Sequence, residues 1–525
     1  MTRTFICTPD EPVVETKAGK VRGFKADSTY TFYGIKYANA KRWEMPTEVE
    51  PWEGTVDALS YGYVCPMVNR ENPFGDHMVP HRYWPKDEAC QYLNIWTQSI
   101  DRTAKKPVLV WIHGGQFMDG SSIEMQAYDG VNISEFGDVV FVSMNHRLNI
   151  IGYLDLSSFS DTFWNSGNVG NADLVMCLKW VHDNIEGFGG DPDNVTIMGQ
   201  SGGGRKVQSL LQIPAADGLF HKAFIMSGIS DFRRMFGNPE TAKEDARAFG
   251  EALYKELGID YGKDPLALQD VPYDTLAAAW RKLSPAFKKE GRYCGCFPMK
   301  NDWYAGDPLY YGFREHAYTI PLMAGTCLAE RGTFGDVIMY KHRLSREQQE
   351  QCVYEVFGKE DGQRMIEAFS EAYPGRNLID AITLDNNYRI DTKTFVKTKA
   401  AGTAPCYNYL FAYDFPINGG KAPWHCSDIP FWFRNTDKVP VANRPGVSDV
   451  LENKMSSCLI SFAKTGAPCA EGLPEWPAST PDELKTMILA EECGVTVNHD
   501  DKLIEVFWPI RPDLSKYNKN NISLH

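Results

Sequence analysis

Short apolar runs, each bounded by turn residues, alternate along this chain with stretches that have the spacing of a helix. The runs span residues 106–115, 137–148, 194–199, 221–228, 319–326 and 407–415. Because a strand buried on both faces is apolar throughout, such runs are typical of the centre of a parallel sheet. Between two of them, Leu174, Leu178 and Val181 recur at helical spacing. The order strand, helix, strand therefore predicts an α/β fold with a doubly wound, mostly parallel sheet.

Two segments in the second half of the chain change to a helical pattern. They span about residues 231–300 and 341–390. In the first, Ala246, Phe249 and Leu253 fall on one helical face, and the second predicts two helices that break near Gly358–Gly362. No internal repeat or low-complexity linker separates these segments from the strands. We predict a single domain over residues 1–525, with both segments as helical insertions that either cover the sheet or cap a cleft.

The charge balance excludes one class of partner. The chain of 525 residues has 54 basic and 68 acidic side chains, a formal net charge of -14. No run rich in lysine or arginine stands out, so nucleic acid is not an expected partner. Hydrophobic residues make up 43% of the chain, which is enough for a large buried core.

The N-terminal segment and the cysteines bear on location and cofactors. Residues 1–19 lack the apolar core of a signal peptide, and no run approaches the roughly 18–20 apolar residues of a spanning helix. The 13 cysteines show neither CxxC pairs nor zinc-like spacing with histidine. We predict a cytoplasmic protein with reduced thiols, no membrane span, no metal and no organic cofactor. Secretion is the alternative if a signal peptide has been removed, and the sequence does not choose between monomer and homodimer.

The apolar run at 194–199 continues into Gln200, Ser201 and a series of glycines. A strand followed by G-x-S-x-G and then a helix is the pattern of a nucleophile elbow, in which a sharp turn holds a serine hydroxyl clear of the sheet. The flanking glycines provide the room that this turn needs. The stretch 205–213 is suited to the following helix. An ordinary glycine-rich turn is the alternative interpretation.

A second glycine-rich segment follows the strand predicted at 106–115. Hydrolases with a nucleophile elbow place a loop of free backbone N–H groups there, which binds the oxyanion of the reaction. We predict an oxyanion hole formed by the N–H groups of Gly115, Gln116 and Gly202. Taken alone, His113-Gly114-Gly115 is also compatible with a tight turn at the end of a strand.

The acid of a catalytic triad is expected after the serine and before the histidine. Glu330 is the first carboxylate after the strand predicted at 319–326, in a loop where an acid that orients a base belongs. Asp336, a few residues further along, is the rival.

The base is expected among the histidines that follow Glu330, which are His342, His425, His499 and His525. His425 follows the last strong strand through a glycine-rich loop, with room to reach the serine, and is the preferred candidate. His342 lies beside the helical insertion, and His525 is the last residue. His499 belongs to a charged stretch, for which we expect a solvated loop.

The segment FGGDPDNVTIMGQSGG, residues 188–203, resembles the nucleophile signature of the type-B carboxylesterases, the family that includes cholinesterases and bacterial para-nitrobenzyl esterases. EACQYLNIWTQ, residues 88–98, is similar to a second signature of that family. The resemblance covers nearly the whole chain and implies an α/β-hydrolase fold. It also implies Ser201 as nucleophile, Glu330 as acid and His425 as base.

A serine carboxylic-ester hydrolase is the activity that these features imply, with an acyl-enzyme intermediate and small to medium esters as substrates. An amidase or thioesterase using the same triad is one alternative, because the triad does not choose the leaving group. A non-catalytic binding protein with an esterase-like fold is the other. Choline esters are not favoured, because no aromatic residue can be placed where cholinesterases hold the choline cation.

The chain departs from the family pattern beside the serine and in the oxyanion loop. Gln116 replaces a usual glycine, and its side chain is expected to narrow the pocket or tilt the loop. Gln200 replaces a usual glutamate, which removes a negative charge near the base. Gly202 stands where alanine is common, a change expected to cost little sterically.

The remaining site predictions concern the pocket and one cysteine pair. Gln200, Trp303 and Phe334 are candidate pocket residues, although each aromatic residue could equally belong to the core of the insertions. Cys65 and Cys90 match the positions of a disulfide in secreted relatives, and in a cytoplasmic protein we expect them to be free thiols that lie near each other.

Overall fold

The computed structural model describes residues 3–68, 80–233, 237–330, 340–385 and 388–512. Within these residues the strands are β1 Phe5–Ile6, β2 Val13–Glu15, β3 Lys20–Arg22, β4 Phe24–Ala26, β5 Thr29–Lys36, β6 Thr55–Asp57, β7 Tyr92–Thr97, β8 Lys106–Ile112, β9 Val140–Met144, β10 Gly190–Gln200, β11 Lys222–Met226, β12 Leu322–Cys327, β13 Cys406–Phe411, β14 Lys485–Leu489 and β15 Gly494–Val497.

Twelve of the described strands form one sheet, in the order β1-β4-β5-β7-β9-β8-β10-β11-β12-β13-β14-β15. The pairs from β9 through β8 to β14 are parallel. Antiparallel pairs extend both ends, and β2, β3 and β6 form a separate small sheet. The prediction of a doubly wound, mostly parallel sheet is confirmed.

The central strands are apolar because they are covered on both faces. Every residue of β8, β9, β12 and β13 is buried. One face packs against a cluster that includes Leu174, Val207 and Phe395, and the other against a cluster that includes Ile133 and Leu459. Burial on both faces is the reason that these strands were predictable as continuous apolar runs.

The helices with α-helical geometry in the described residues are α1 Val131–Gly137, α2 Asn149–Tyr153, α3 Val169–Asn184, α4 Gly202–Leu210, α5 Ala242–Glu256, α6 Tyr273–Lys289, α7 Pro308–Tyr311, α8 Arg346–Phe357, α9 Lys359–Ala372, α10 Arg389–Lys399, α11 Ile429–Trp432, α12 Ser448–Thr465 and α13 Asp501–Ile510. Helices α3, α4 and α10 contribute to the core on one face of the sheet. Helices α1, α11 and α12 contribute to the core on the other face.

The two segments predicted to be helical contain α5 and α6 in the first case and α8 and α9 in the second. The predicted break in the second segment occurs at Gly358, whose φ of 79° ends α8 before α9 begins. Side chains of α5 and α6 form a core cluster with Leu148 and Leu156, which follow β9. Those of α8 and α9 form another cluster with Leu410 and Leu503.

Candidate active site

Ser201 stands between β10 and α4, at a turn with unusual backbone angles. Its φ is 56° and its ψ is −123°, and its N–H donates to the Met226 carbonyl at 2.9 Å. Only glycine fits around this turn, since a Cβ on Gly203 would lie 2.0 Å from the Ile112 carbonyl oxygen and one on Gly199 would lie 2.4 Å from Gly203. The serine side chain is thereby held at the carboxyl edge of the sheet, as a nucleophile elbow requires.

The loop after β8 lies directly against the start of α4. Gly115 has a φ of 84°, and Gln116 follows with a φ of 58°. A Cβ placed on Gly202 would lie 2.1 Å from the Gln116 nitrogen. Among the described residues, no backbone carbonyl accepts a hydrogen bond from the N–H of Gly115, Gln116 or Gly202. Gln116 and Gly202 are therefore in close contact, and no described backbone carbonyl accepts a hydrogen bond from any of the three N–H groups predicted for the oxyanion hole.

This close approach shows what an alanine would meet at position 202. Glycine was expected to cost little there, and in this structure alanine would not fit, because the backbone of Gln116 occupies the space that a methyl group would need. The reason is the loop after β8, whose position relative to α4 is not visible in the local sequence. Gln116 itself is a non-glycine residue in the left-handed region, which costs of order 1–3 kcal/mol.

Glu330 and His425 form a short contact between two loops. The Nδ1 atom of His425 lies 2.5 Å from Oε2 of Glu330. Glu330 is buried just beyond β12, where the Cys327 N–H donates to its Oε1 at 2.7 Å. Burial raises the pKa of Glu330 to about 8, while the Ser227 hydroxyl and the Cys327 N–H oppose this rise.

Tyr388 covers one face of the His425 ring, and sequence reasoning missed it. Its ring stacks face to face on the His425 ring, with centroids 5.1 Å apart and planes at 4°. Its hydroxyl is in contact with the guanidinium of Arg205 on α4, the helix that follows Ser201. Tyr388 lies just before α10, in a segment without any recognisable motif, so only the folded chain shows its place.

Two buried cations follow the serine on α4. Arg205 donates from Nη2 to the Tyr388 hydroxyl at 3.3 Å and from Nε to the Ser230 hydroxyl at 2.7 Å. Lys206 donates to the carbonyl of His113, at the start of the loop after β8, at 3.1 Å. Burial lowers the pKa of Lys206 to about 7. In the sequence, Arg205 and Lys206 are two adjacent basic residues on a helix that packs in the core. That pattern could have indicated this pair, but no prediction was made from it.

The remaining histidine and acid candidates lie elsewhere. His342 is exposed and pairs with Asp414 at 2.8 Å. The expectation of a solvated loop around His499 is wrong, because its side chain is only 11% exposed and its ring packs against Tyr373. This burial lowers the pKa of His499 to about 4. Asp336 and His525 lie outside the described residues.

The candidate pocket residues differ in where the structure places them. Gln200 is fully buried and its side chain contacts His425. Trp303 is partly buried against the core cluster that contains Tyr304, and its place in the pocket stays a prediction. Phe334 lies outside the described residues. Phe232 packs edge to face on Phe117, beside the oxyanion loop, with ring centroids 5.7 Å apart.

Gln200 places an uncharged amide beside His425, at the position where the family usually has a glutamate. The Cys426 thiol donates to Oε1 of Gln200 at 3.3 Å. This contact directs Nε2 toward the imidazole, at 3.4 Å from each ring nitrogen of His425. An amide at this position supplies no negative charge that would favour the imidazolium form.

Replacing Gln200 by glutamate is expected to move the acidic limb of the kcat/KM profile to higher pH by about one unit. The added carboxylate favours the imidazolium, whereas general-base catalysis needs the neutral ring. The alkaline plateau should be unchanged. The measurement is kcat/KM for one ester from pH 5 to pH 10, with Gln351→Glu on the exposed face of α8 as the control for added charge. Superimposable profiles for Gln200→Glu and the wild type would contradict this prediction.

All 13 cysteines are free thiols, and the Cys65 side chain interacts with that of Cys90. No cluster of three or more candidate metal ligands occurs in the described residues. None of the helices described here is long and apolar enough to cross a membrane.

A serine at a strained strand-to-helix turn, in a mostly parallel sheet with helices on both faces, defines an α/β-hydrolase fold. A solved esterase from anaerobic Clostridium hathewayi, described as able to hydrolyse aliphatic aromatic polyesters, superposes with a TM-score of 0.92 at 49% identity over 97% of this chain and 100% of its own. The Geobacillus stearothermophilus carboxylesterase EST55 superposes with a TM-score of 0.71 at 29% identity, over 94% and 99% of the two chains.

The family model named Carboxylesterase family matches residues 10–503. The para-nitrobenzyl esterase of Bacillus subtilis (strain 168) is 32% identical over 93% of this chain and 96% of its own length. Phenmedipham hydrolase of Pseudarthrobacter oxydans is 30% identical over 93% and 97%. The chain belongs to the carboxylesterase family, and it is an enzyme that hydrolyses carboxylic esters.

Proposed function

We propose that this enzyme hydrolyses small to medium carboxylic esters through an acyl-enzyme on Ser201, with Glu330 and His425 as its acid–base pair. The observation that carries the proposal is the 2.5 Å contact between His425 and the buried Glu330, on loops beside the strained turn of Ser201. Because Nδ1 contacts the carboxylate, Nε2 is the ring nitrogen that we assign as the base for the serine hydroxyl. The acyl-transfer chemistry needs neither a metal nor an organic cofactor.

In the first half of the reaction, His425 accepts the proton of Ser201 while the hydroxyl oxygen attacks the ester carbonyl. The oxyanion of the tetrahedral intermediate lies against the N–H groups of Gly115, Gln116 and Gly202. Each such donor is worth roughly 2.7–4 kcal/mol in related chemistry. The C–O bond of the ester then breaks, and the leaving alkoxide takes its proton from His425.

In the second half, His425 accepts a proton from water as the water oxygen attacks the acyl-enzyme. The bond between the acyl carbon and the Ser201 oxygen breaks, and that oxygen recovers its proton from the imidazolium. Glu330 keeps the imidazole in one tautomer throughout and stabilises the imidazolium that forms.

We further propose that residues 231–300 and 341–390 form a cap on a single domain of residues 1–525. The packing of Phe232 on Phe117 supports this, because it joins the first insertion to the oxyanion loop. Such a cap determines which esters enter, with Gln200, Trp303 and Phe334 as proposed pocket residues. The free thiols agree with a cytoplasmic enzyme, acting as monomer or homodimer.

The test is covalent trapping of the acyl-enzyme. Treatment with a phosphonate ester that labels serine hydrolases is expected to add one phosphonyl mass, located by peptide mapping on Ser201 and accompanied by complete loss of esterase activity. Labelling of a different serine, or activity that survives full labelling, would refute the proposed nucleophile.

Matched substrates decide which acyl compounds the enzyme uses. An ester, a thioester and an amide with the same acyl group separate the esterase proposal from an amidase or thioesterase. An aliphatic aromatic polyester belongs in the same assay, since a structural neighbour at 49% identity is described as acting on such polymers. The proposal expects kcat/KM to be highest for the ester, and a preference for the amide would reassign the activity.

A further inference from the structure

Lys206 is a lysine in a place that solvent does not reach. It is fully buried on α4, five residues after Ser201. Lysine is almost never fully buried, because its ammonium group loses its hydration there. Within the described residues, Nζ of Lys206 makes one hydrogen bond, to the His113 carbonyl at 3.1 Å. That carbonyl is therefore the group that the buried amine serves.

The His113 carbonyl belongs to the first peptide of the loop after β8. Strand β8 ends at Ile112, and the loop continues through Gly115 and Gln116, both with a positive φ. A peptide group is planar, so a bond that holds its carbonyl also sets the direction of the N–H on its other side. The next two N–H groups along the chain are those of Gly115 and Gln116, which are two of the three donors in the proposed oxyanion hole.

Helix α4 meets this peptide twice. A Cβ on Gly203 would lie 2.0 Å from the Ile112 carbonyl oxygen and 2.8 Å from that of His113. Lys206 follows Gly203 by three residues, which places the two on one face of the helix. The first turn of α4 thus touches the loop through its backbone, and the second turn touches it through the lysine amine. Together these contacts fix the loop after β8 relative to the helix that follows the nucleophile.

The hydrogen bond does not depend on the charge of Lys206. Burial lowers the pKa of Lys206 to about 7, while the negative charge of Glu124 opposes this. The ammonium and the neutral amine both carry protons to donate, so the contact persists on either side of that pH. The rings of His113 and His146 lie with centroids 4.9 Å apart, and burial holds both of their pKa values well below the usual range. Neither ring therefore carries a charge that repels the amine.

We propose that Lys206 is a positioning residue for the hydrolysis of esters. Its amine fixes the His113 peptide and thereby holds the N–H groups of Gly115 and Gln116 in the direction that binds an oxyanion. Lys206 acts through the backbone of the loop and takes no part in proton transfer. This inference rests on the oxyanion hole of the proposed function. Because the oxyanion exists only after the attack on the ester, loss of the contact should weaken binding of the transition state and leave substrate binding unchanged.

The test is Lys206→Met, because methionine keeps an unbranched side chain and has no proton to donate. With 4-nitrophenyl acetate, kcat should fall at least about tenfold, since complete removal of one oxyanion donor costs about 10²–10³ in kcat. KM should stay within about twofold of the wild type, because the ground-state ester makes no use of the oriented N–H groups. Thermal unfolding of each variant shows whether it folds.

A trifluoromethyl ketone gives a second readout that stability alone does not change. The Ser201 oxygen adds to the carbonyl carbon of the ketone, the carbonyl electron pair becomes the oxyanion, and the serine proton passes to His425. The adduct resembles the tetrahedral intermediate, so its stability depends on the oxyanion donors. Its Ki in Lys206→Met should rise by about the factor by which kcat/KM falls.

Lys399→Met is the matched control. Lys399 is fully buried at the end of α10, donates from Nζ to the Ile320 carbonyl, and has a pKa that burial lowers. This variant removes the same kind of contact just before β12, whereas the active site lies at the carboxyl edge of the sheet. It should lower the melting temperature and leave kcat and Ki within about twofold of the wild type.

Lys206→Gln keeps an N–H donor on a shorter side chain and should retain more of kcat than Lys206→Met. If the methionine variant does not fold, the glutamine variant decides by the same division between kcat and KM. Wild-type kcat in Lys206→Met would overturn the inference, as would a loss carried by KM, an unchanged Ki for the ketone, or an equal loss of kcat in Lys399→Met. A ketone that inhibited Ser201→Ala as strongly as the wild type would instead refute the acyl-enzyme proposal itself.

Discussion

Replacing Ser201 by alanine is expected to lower kcat for carboxylic esters by at least about 10⁴-fold. No covalent intermediate can form once the hydroxyl oxygen is gone, and His425 can then act only on water. A residual rate above the uncatalysed reaction should survive, because the N–H groups of the oxyanion loop and the pocket remain. The loss should therefore appear in kcat rather than in KM.

The variant should fold as the wild type does. Ser201 is 8% exposed, and the turn around it depends on the neighbouring glycines rather than on its hydroxyl. The measurement is steady-state hydrolysis of 4-nitrophenyl esters from acetate to decanoate, which also gives the size of the acyl pocket. Ser209→Ala is the matched control, since Ser209 is a fully buried serine on the same helix whose hydroxyl donates to the Arg205 carbonyl.

The control should keep kcat within a few-fold of the wild type. If Ser201→Ala hydrolysed the esters as fast as the wild type, the glycine-rich turn would not hold the nucleophile. The acyl-enzyme mechanism would then have to be located on another serine.

The features that could be predicted from sequence are those with a local signature. The strands β8 to β13 were recognisable because both of their faces are buried, which makes each of them a continuous apolar run. Ser201 was recognisable from glycines that the turn requires. Glu330 and His425 were selected from chain order and loop position, and the fold brings them within 2.5 Å of each other.

The features that escaped prediction depend on contacts between distant segments. Tyr388 lies 37 positions before His425 along the chain, and nothing around it marks it as a stacking partner of that histidine. The short antiparallel strands β1, β4 and β15 are too brief for a pattern to emerge. The steric need for glycine at position 202 arises from Gln116, in the loop that follows a different strand, β8.

The second large effect is expected at the acid. Replacing Glu330 by glutamine should lower kcat by about 10³–10⁴-fold at alkaline pH, because an amide neither fixes the imidazole tautomer nor stabilises the imidazolium. The buried carboxyl and the imidazole titrate as one unit. Burial raises the pKa of Glu330 to about 8, so the carboxyl carries a proton below that pH and cannot support the base. Wild-type activity should therefore rise with pH up to about 8.

Glutamine at this position has no proton to lose, so the part of the rise that the Glu330 carboxyl sets should disappear from the profile of Glu330→Gln, which keeps only the acidic limb of the His425 base. The ratio of wild-type to variant kcat/KM should consequently grow as the pH increases from 6 to 9. Glu330→Asp keeps a carboxylate on a shorter side chain and should recover part of the activity together with the rise. A ratio that is constant across this range would mean that the Glu330 carboxyl does not titrate in the catalytic pair. Its contact with His425 would then act through geometry alone.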